Sequence, residues 1–369
     1  MTVPFIDLKR LHEGVRGELL AAFARVLDSG VFVQGPEVAA FEAEAALQYG
    51  ARHAIATSSG TAALHLALAA AGIGAGDEVI TVANTFIATA EAITLAGATP
   101  VFAEIEDGGF NIDPADAERR ITARTKAIVA VHLYGQMAQM GRLQAICSEH
   151  GLKLIEDACQ AHGARLEGRM AGTIGDAGCL SFYPTKNVGT LGEGGMVLTA
   201  DDQIADRVRS LSNHGQASRH EHVVPGYNYR MPELQTAALR VLSPHLETWN
   251  AARRIAAGWY ETGLAGLPVE KPAAGPDGSH VFHLYVIRCR ARAGLQAALA
   301  GAGIQAAIHY PLPIHLQPAY RSCGGGEGSL PRTEAAVEEI LSLPFHPAIR
   351  RDEVDEVCEA IATFYGAHA

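Results

Sequence analysis

The sequence contains no uninterrupted run of about 18 apolar residues, which is the length that a membrane-spanning helix needs. It has no basic excess either, because 29 Lys and Arg stand against 40 Asp and Glu and give a formal net charge of −11. Nucleic-acid binding depends on a basic face that neutralises phosphates. We therefore expect neither a membrane anchor nor a nucleic-acid partner.

Paired cysteines and a secretory leader are also missing. The six cysteines are scattered and none belongs to a C-x-x-C pair, and the first ten residues contain no apolar segment. In a long chain of this kind, such cysteines are typical of reduced, mostly buried thiols, so we expect a cytoplasmic protein. The sixteen histidines show no metal-ligand spacing and no G-x-S-x-G motif is present. We predict no metal site and no serine-hydrolase site.

The first half of the chain alternates short β-branched runs with Ala-rich helical stretches. The predicted strands cover residues 54–57, 78–82, 99–105, 126–132, 153–157, 178–182 and 196–199. The predicted helices among them cover residues 61–71, 88–96 and 140–150. This alternation is typical of an α/β fold with a mostly parallel sheet that helices cover on both faces.

The pattern changes after about residue 228. A long helical region over residues 232–264 is followed by a Pro/Gly-rich stretch over 267–278 and a strand-like run over 281–289; two further helices are predicted over 292–302 and 351–365. We therefore predict two domains: a large α/β domain over residues 1–245 and a smaller α+β C-terminal domain over residues 246–369.

The segment Thr57-Ser-Ser-Gly-Thr61 stands where the first predicted strand gives way to a helix. The free N–H groups and the positive dipole end of a helix N-terminus attract anions. Ser59, Gly60 and Thr61 would add hydroxyl groups and a close backbone approach. The alternative is that this segment only caps the helix, and taken alone the motif favours capping.

Two residues with reactive side chains lie at the carboxyl ends of predicted strands. Asp157 ends the strand over 153–157, at the end where ligands bind in open α/β sheets, while Glu156 points to the opposite side. Lys186 follows the next strand in a stretch with no other cation, and a lysine in a partly apolar site can form an imine. The alternatives are a capping or ion-paired Asp157 and a solvent-exposed Lys186.

Together these features match what pyridoxal 5'-phosphate (PLP) needs from a protein. The phosphate needs an anion site, the pyridine nitrogen needs a carboxylate such as Asp157, and the aldehyde needs an amine such as that of Lys186. Phe86, which follows the second predicted strand, stands in the right place in the order to lie against the ring. We predict a PLP enzyme in which Lys186 and Asp157 are the catalytic residues.

Further motifs occur in order along nearly the whole chain. They read F-I-D-L at 5–8, S-G-V-F-V-Q-G-P at 29–36, F-E at 41–42, S-G-T at 59–61, E-D-A-C-Q-A-H-G at 156–163, S-F-Y-P-T-K at 181–186, G-Y-N-Y-R-M at 226–231 and H-Y-P-L-P-I-H-L-Q-P at 309–318. In this order they resemble the DegT/DnrJ/EryC1/StrS family of sugar aminotransferases. The resemblance implies the PLP-dependent transferase fold of type I, in which helices flank a mostly parallel central sheet and a smaller α+β domain follows.

The resemblance also implies roles for single residues. Lys186 matches the lysine that binds the cofactor aldehyde, Asp157 the partner of the pyridine nitrogen, and Gln160 a residue near the ring hydroxyl. The residues implied for the rest of the cofactor site are Ser59, Gly60, Thr61 and Ser181 at the phosphate and Phe86 on the ring. The residues implied for the sugar nucleotide are Tyr183, Arg230, His309 and Tyr310.

One matched residue implies an oligomer. Asn228 corresponds to an asparagine that reaches the phosphate from the neighbouring subunit, so the resemblance implies a homodimer with active sites at the subunit interface. Cys159 departs from the family pattern, in which alanine is commoner, and we expect a small thiol to be tolerated there.

The implied reaction is a transamination. L-glutamate would give its amino group to the cofactor and leave as 2-oxoglutarate, and the keto group of a nucleotide-linked sugar would then receive it. Residues 309–320 resemble the branch that aminates C3 of a 3-keto sugar nucleotide. The alternatives are a C4-directed aminotransferase, an amino-acid-directed transaminase, a sugar dehydratase of the kind in which histidine replaces the lysine, and a non-catalytic regulator. The nucleotide stays open among dTDP, UDP and GDP.

Overall fold

The computed structural model describes residues 2–273, 275, 280–323 and 325–366. The strands in these residues are β1 (His53–Thr57), β2 (Glu78–Val82), β3 (Thr99–Ala103), β4 (Thr125–Val131), β5 (Lys153–Asp157), β6 (Arg165–Leu166), β7 (Arg169–Met170), β8 (Ala177–Ser181), β9 (Gly195–Thr199), β10 (Gln216–Ser218), β11 (Glu221–His222), β12 (Tyr285–Arg288) and β13 (Ile340–Leu343). The helices are α1 (Leu8–His12), α2 (Arg16–Ser29), α3 (Pro36–Tyr49), α4 (Gly60–Ala70), α5 (Ala88–Leu95), α6 (Pro114–Arg119), α7 (Met140–His150), α8 (Asp202–Ser212), α9 (Glu233–Leu242), α10 (Leu246–Gly263), α11 (Arg292–Gly301), α12 (Pro331–Glu339) and α13 (Arg351–Phe364). None of these helices has the length and apolarity that crossing a membrane requires.

Seven strands form the central sheet, in the order β1-β9-β8-β5-β4-β2-β3. The strand β9 runs antiparallel to both of its neighbours, and all other pairs in this sheet are parallel. Neighbouring strand residues alternate between two hydrophobic clusters: Ile80 and Ile128 belong to one, Val79 and Val129 to the other. Helices therefore cover both faces, and the predicted mostly parallel α/β sheet is confirmed.

The predicted helix over residues 232–264 is wrong as a single element. The chain forms α9 and α10 with the short 3-10 turn Ser243–His245 between them. Pro244 explains the break, because proline has no N–H to donate and its ring obstructs the preceding turn. The predicted division between residues 245 and 246 falls directly after this turn, and it stays a prediction.

The predicted strand over residues 281–289 is shorter in the structure. Only β12, from Tyr285 to Arg288, pairs with β13, and the pairing is antiparallel. Phe282 has a φ angle of 48°, a left-handed conformation that no extended strand contains, and this explains the late start of the strand.

The first residues of the chain complete the C-terminal part of the fold. The N–H of Val3 donates to the carbonyl oxygen of Gly303 (3.1 Å), and the carbonyl oxygen of Val3 accepts from the N–H of Gln305 (3.0 Å). Two residues further on, the carbonyl oxygen of Phe5 accepts a hydrogen bond from Phe345 (3.1 Å). The two ends of the sequence therefore share one hydrogen-bonded layer.

Glu156 stabilises the strand β5 on the face opposite to Asp157. Its buried carboxylate accepts hydrogen bonds from His132 Nε2 (2.9 Å) and from the N–H groups of Gly172 (2.9 Å) and Gly175 (2.7 Å). Burial alone would raise the pKa of Glu156, but these hydrogen bonds outweigh it and hold the pKa below its ordinary value.

We expect Glu156→Gln to lower the free energy of unfolding by about 3 kcal/mol, because the amide nitrogen would meet backbone donors that need an acceptor. Urea unfolding followed by circular dichroism measures this. A carboxyl group with a depressed pKa stabilises the fold above its ordinary pKa of 4.5 and loses this contribution as the pH falls. The difference between the two proteins is therefore largest at neutral pH and shrinks below pH 4.5.

The exposed Glu149 offers a matched control. Glu149→Gln should change the free energy of unfolding by less than about 0.5 kcal/mol. Equal losses in the two variants at neutral pH would contradict the stabilising role of Glu156.

Candidate active site

A cavity of about 580 Å³ lies at the sheet edge where β5 and β8 end. Its volume falls within the range of small-molecule sites. Eleven of the thirteen residues predicted for the site line it: Ser59, Gly60, Thr61, Phe86, Asp157, Gln160, Ser181, Tyr183, Lys186, His309 and Tyr310. Residues from the two halves of the sequence thus meet around one space, and their individual roles stay predictions.

The start of α4 forms one wall of the cavity. Ser59 caps this helix, because its Oγ accepts a hydrogen bond from the N–H of Ala62 (3.1 Å), so the capping role holds for this hydroxyl. A Cβ atom at Gly60 would lie 2.7 Å from Cβ of Ser181 and 3.0 Å from Sγ of Cys159. Only glycine allows the helix N-terminus to approach β8 this closely, and the approach leaves a compact pocket at the positive end of the helix dipole.

Asp157 is held in place at the end of β5. Its Oδ2 accepts a hydrogen bond from Oγ1 of Thr89 (2.7 Å), and its Oδ1 accepts from the N–H of Cys159 (3.2 Å). The residue is 6% exposed, and it forms no ion pair within the described part of the chain. The ion-paired alternative therefore does not hold. Thr89 was not singled out in the sequence, although it stands three residues after Phe86.

Lys186 lies in the turn after β8. Its N–H donates to the carbonyl oxygen of Tyr183 (2.9 Å), which closes the turn. The side chain is half-buried, and Nζ has neither a hydrogen-bond nor an ion-pair partner among the residues that the structure describes. Desolvation lowers the pKa of this amine, and the charges of Cys159 and Asp157 only partly oppose the effect. Lys186 is therefore partly shielded from solvent, and its role stays a prediction.

Two aromatic side chains and an amide form the next part of the wall. Phe86 is 51% exposed, and its ring centroid lies 5.5 Å from that of Tyr310. The hydroxyl of Tyr310 accepts a hydrogen bond from Nε2 of Gln160 (3.5 Å), and Oε1 of Gln160 accepts from the N–H of Tyr134 (2.7 Å). Burial, and then the charge of Asp157, raises the pKa of Tyr310. This phenol is therefore a neutral hydrogen-bonding group.

His309 completes the wall from the C-terminal half. Its ring stacks on Phe5 with centroids 5.6 Å apart, and its Nδ1 is within hydrogen-bond distance of Oγ of Ser342 (2.9 Å). Burial, and then the charge of Lys186, lowers the pKa of His309 to about 4. The imidazole is therefore uncharged at neutral pH.

Asn228 and Arg230 lie outside this cavity in the single chain. Arg230 lines a second, more open cavity of about 640 Å³, where it donates to Oδ1 of Asn213 (2.7 Å) and of Asn228 (2.6 Å). Asn228 is exposed. The position of Asn228 is compatible with the expectation that it serves a neighbouring subunit, and the roles of both residues stay predictions.

Other residues of the cavity wall were missed in the sequence. They include Phe5, Thr89, Glu193, His283 and Leu284. Phe5 was part of a motif, but nothing in its position along the chain linked it to residues 300 positions away. The signal for His283 was equally weak, since a single histidine at the start of a predicted strand is commonly a core residue.

The arrangement fits PLP. The pocket at Gly60 suits a phosphate, the buried Asp157 suits a pyridinium nitrogen, and the unpartnered amine of Lys186 suits an aldehyde. A wide aromatic wall with few charges suits a flat ring and an uncharged sugar beside it. These donor and acceptor types agree with a PLP enzyme that transfers amino groups.

The comparison with known proteins gives the class. The model of the DegT/DnrJ/EryC1/StrS aminotransferase family matches residues 14–362, and the chain belongs to this family. It is therefore an aminotransferase, and PLP is its cofactor, as in related solved enzymes that hold the pyridoxal or the pyridoxamine form.

Individual relatives are similar over almost their full length. A dTDP-3-amino-3,4,6-trideoxy-alpha-D-glucose transaminase from Streptomyces venezuelae is 45% identical and covers 97% of this chain and 95% of its own. The crystal structure of S. venezuelae DesV with a ketimine intermediate has a TM-score of 0.96 at 44% identity, covering 99% of this chain and 98% of its own. A pleiotropic regulatory protein from Geobacillus stearothermophilus is 46% identical, with 99% of both chains covered.

We expect Gly60→Ala to weaken PLP binding by about tenfold, because the added methyl group forces the start of α4 away from Ser181. Titration of the cofactor-free protein with PLP, followed by absorbance, measures the dissociation constant. Gly141→Ala is the control, because it also lies in the first turn of a helix but its Cβ would meet no atom within 4 Å. A dissociation constant that is unchanged in Gly60→Ala, or raised equally in both variants, would argue against the close approach at Gly60.

Proposed function

We propose that this protein transfers the amino group of L-glutamate to C3 of a nucleotide-linked 3-keto sugar, which gives the amino sugar and 2-oxoglutarate. One observation carries the proposal: the unpartnered Lys186 and the buried Asp157 line a single cavity. The S. venezuelae transaminase, whose name describes a 3-amino sugar linked to dTDP, supports the choice of C3. The similarity of residues 309–320 to the C3-directed branch supports it as well.

The residues of the chain divide the work as follows. Bound PLP supplies an electron sink that makes the proton on the amino-bearing carbon removable. Asp157, held by Thr89, would offer its carboxylate to the pyridine nitrogen of the bound cofactor. Gly60, Thr61 and Ser181 hold the phosphate at the N-terminus of α4. The position of Ser181 at the end of β8 lets it face that helix end.

Lys186 serves as the proton carrier. Its lowered pKa leaves a larger share of the amine uncharged at neutral pH, and only the uncharged amine can accept a proton. Once it is protonated, the same group delivers the proton to another atom within reach. Lys186 also separates this proposal from the dehydratase alternative, because that branch carries histidine at this position.

The sugar faces neutral groups. His309 is uncharged at neutral pH and the phenol of Tyr310 keeps its proton, so both can exchange hydrogen bonds with hydroxyl groups. Tyr183 is 47% exposed at the cavity and offers a further hydroxyl. Arg230, as a cation, suits the diphosphate of a nucleotide sugar.

We infer further that the enzyme acts as a homodimer in the cytoplasm. Asn228 is exposed and already bound to Arg230, and in the proposed dimer the pair reaches the cofactor site of the other subunit. The six cysteines are all free, which agrees with a reducing compartment. The amino donor and the dimer both follow from the family resemblance.

The regiochemistry is tested with purified enzyme, PLP and L-glutamate. We expect release of 2-oxoglutarate with a dTDP-linked or UDP-linked 3-keto sugar and little release with the matching 4-keto sugar. Lys186→Ala is the control and should abolish turnover, because it removes the proton carrier. Mass spectrometry of the sugar product identifies the nitrogen-bearing carbon.

Each other outcome of this assay supports a named alternative. Faster turnover of the 4-keto sugar supports a C4-directed enzyme, and loss of water without gain of nitrogen supports a dehydratase. PLP binding without release of 2-oxoglutarate from any keto sugar supports a regulator, the second candidate, which the similarity to the Geobacillus protein favours.

The shared site is tested by complementation. Lys186→Ala and Asn228→Ala should each be poorly active alone, because every site of each dimer then carries one defect. After the two variants are unfolded together and refolded, about half of the dimers are hybrids with one intact site each, so about a quarter of the wild-type activity should return. No gain above the sum of the separate variants would contradict a site built from two subunits.

A further inference from the structure

His283 lines the cavity and is fixed at both ends. Its backbone N–H donates to the carbonyl oxygen of Tyr134 (2.8 Å), and its ring nitrogen Nδ1 lies 3.1 Å from Oδ1 of Asn187. The residue is 6% exposed. No role for this histidine follows from the sequence motifs, so the question is what its second ring nitrogen presents to the cavity.

A chain of hydrogen bonds decides which ring nitrogen of His283 carries the hydrogen. The carbonyl oxygen of His162 can only accept, so the amide nitrogen of Asn250 faces it (2.8 Å) and Oδ1 of Asn250 faces Asn187. Asn187 Nδ2 donates to this oxygen (2.8 Å) and to the carbonyl oxygen of Val281 (3.1 Å). Oδ1 of Asn187 is therefore left to accept from His283, whose Nδ1 must be the protonated nitrogen.

The other ring nitrogen, Nε2, is then a hydrogen-bond acceptor. Burial, followed by the charges of Lys186 and Arg253, lowers the pKa of His283 well below 6.5, so the ring carries one hydrogen only. Within the described residues Nε2 has no partner, and it is not among the enclosed polar atoms that lack one. It is therefore open to the cavity that His283 lines.

The same cavity contains a donor without an acceptor. Nζ of Lys186 has no partner in the described part of the chain, and the ionisable groups that act on it besides the histidines are Cys159 and Asp157. An ammonium group that is partly withdrawn from water and forms no hydrogen bonds is unfavourable. The flexible lysine side chain, with four rotatable bonds, can turn towards a nearby acceptor.

We propose that His283 is a positioning residue for Lys186: its Nε2 accepts a hydrogen bond from Nζ whenever the lysine is not bound to the cofactor. This rests on the proposed role of Lys186 as the group that alternates between the cofactor and a free amine. The hydrogen bond holds the released amine inside the cavity, where it can accept and return a proton.

Two substitutions separate the two ends of the ring. His283→Asn keeps a donor at the position of Nδ1 for Asn187 but has no atom at the position of Nε2. His283→Gln carries its terminal oxygen to the position of Nε2 and should retain the acceptor. Both variants remove the aromatic ring, so a purely structural role of that ring would affect both.

The pKa of Lys186 is the readout. Glutamate converts the holoenzyme to the pyridoxamine form, in which the lysine is free, and trace labelling with acetic anhydride at a series of pH values, followed by peptide mass spectrometry, gives the pKa of the amine. We expect His283→Asn to lower it by about one pH unit relative to the wild type, because the ammonium form loses an acceptor. In His283→Gln the pKa of Lys186 should differ from the wild-type value by no more than about a third of this shift.

Three results would overturn the proposal: equal pKa values for Lys186 in all three proteins, equal shifts in both variants, or a rise in His283→Asn. If glutamate leaves the cofactor spectrum of the wild type unchanged, the proposed function fails instead. The same labelling series on the cofactor-free chain then still tests the hydrogen bond between Lys186 Nζ and His283 Nε2. If the variants do not fold, ¹⁵N shifts of the wild-type histidine rings still report on His283. A hydrogen on Nε2 at neutral pH overturns the proposal, and a bare Nε2 whose shift moves when glutamate frees the lysine supports it.

Discussion

The parallel pairing of β5 with β8 is the constraint on which the active site depends. In this pairing Asp157 lies opposite Cys179, so the carboxyl ends of both strands reach the same edge and bring Asp157, Ser181 and Lys186 to one cavity. A register slip of one residue would exchange the faces of Glu156 and Asp157. The buried hydrogen bonds of Glu156 oppose such a slip, so the carboxylate of Glu156 helps to keep Asp157 facing the cavity.

Charge is sparse around the amine of Lys186. The histidines nearest to it, His162, His283 and His309, are all uncharged at neutral pH because burial and neighbouring cations lower their pKa values. Arg253, which donates to the carbonyl oxygens of Phe282 and His283, has its pKa lowered to about 9 by burial. The cavity therefore combines the amine of Lys186 and the carboxylates of Asp157 and Glu193 with other wall groups that are neutral and form hydrogen bonds, which suits a ligand rich in hydroxyl groups.

Much of the fold could be predicted because its strands are short β-branched runs that are buried on both faces. The prediction of one long helix over 232–264 was wrong because it did not treat Pro244 as a helix break. The strand over 281–289 was predicted too long because the left-handed backbone angle at Phe282 cannot be inferred from the sequence. Most of the cavity residues that belong to motifs were found, including Asp157 and Lys186, whereas Phe5 was missed. Thr89 and His283 were missed because their contribution depends on tertiary hydrogen bonds to Asp157 and Asn187, which no spacing along the chain encodes.

The position of the N-terminal segment has a consequence for how the protein is made. Val3 and Phe5 are synthesised long before their partners Gly303, Gln305 and Phe345. Since Phe5 also stacks on His309 at the cavity, this part of the wall closes only after His309 has been synthesised. The strands of the central sheet, the last of which ends at Thr199, can therefore pair before this part of the wall closes.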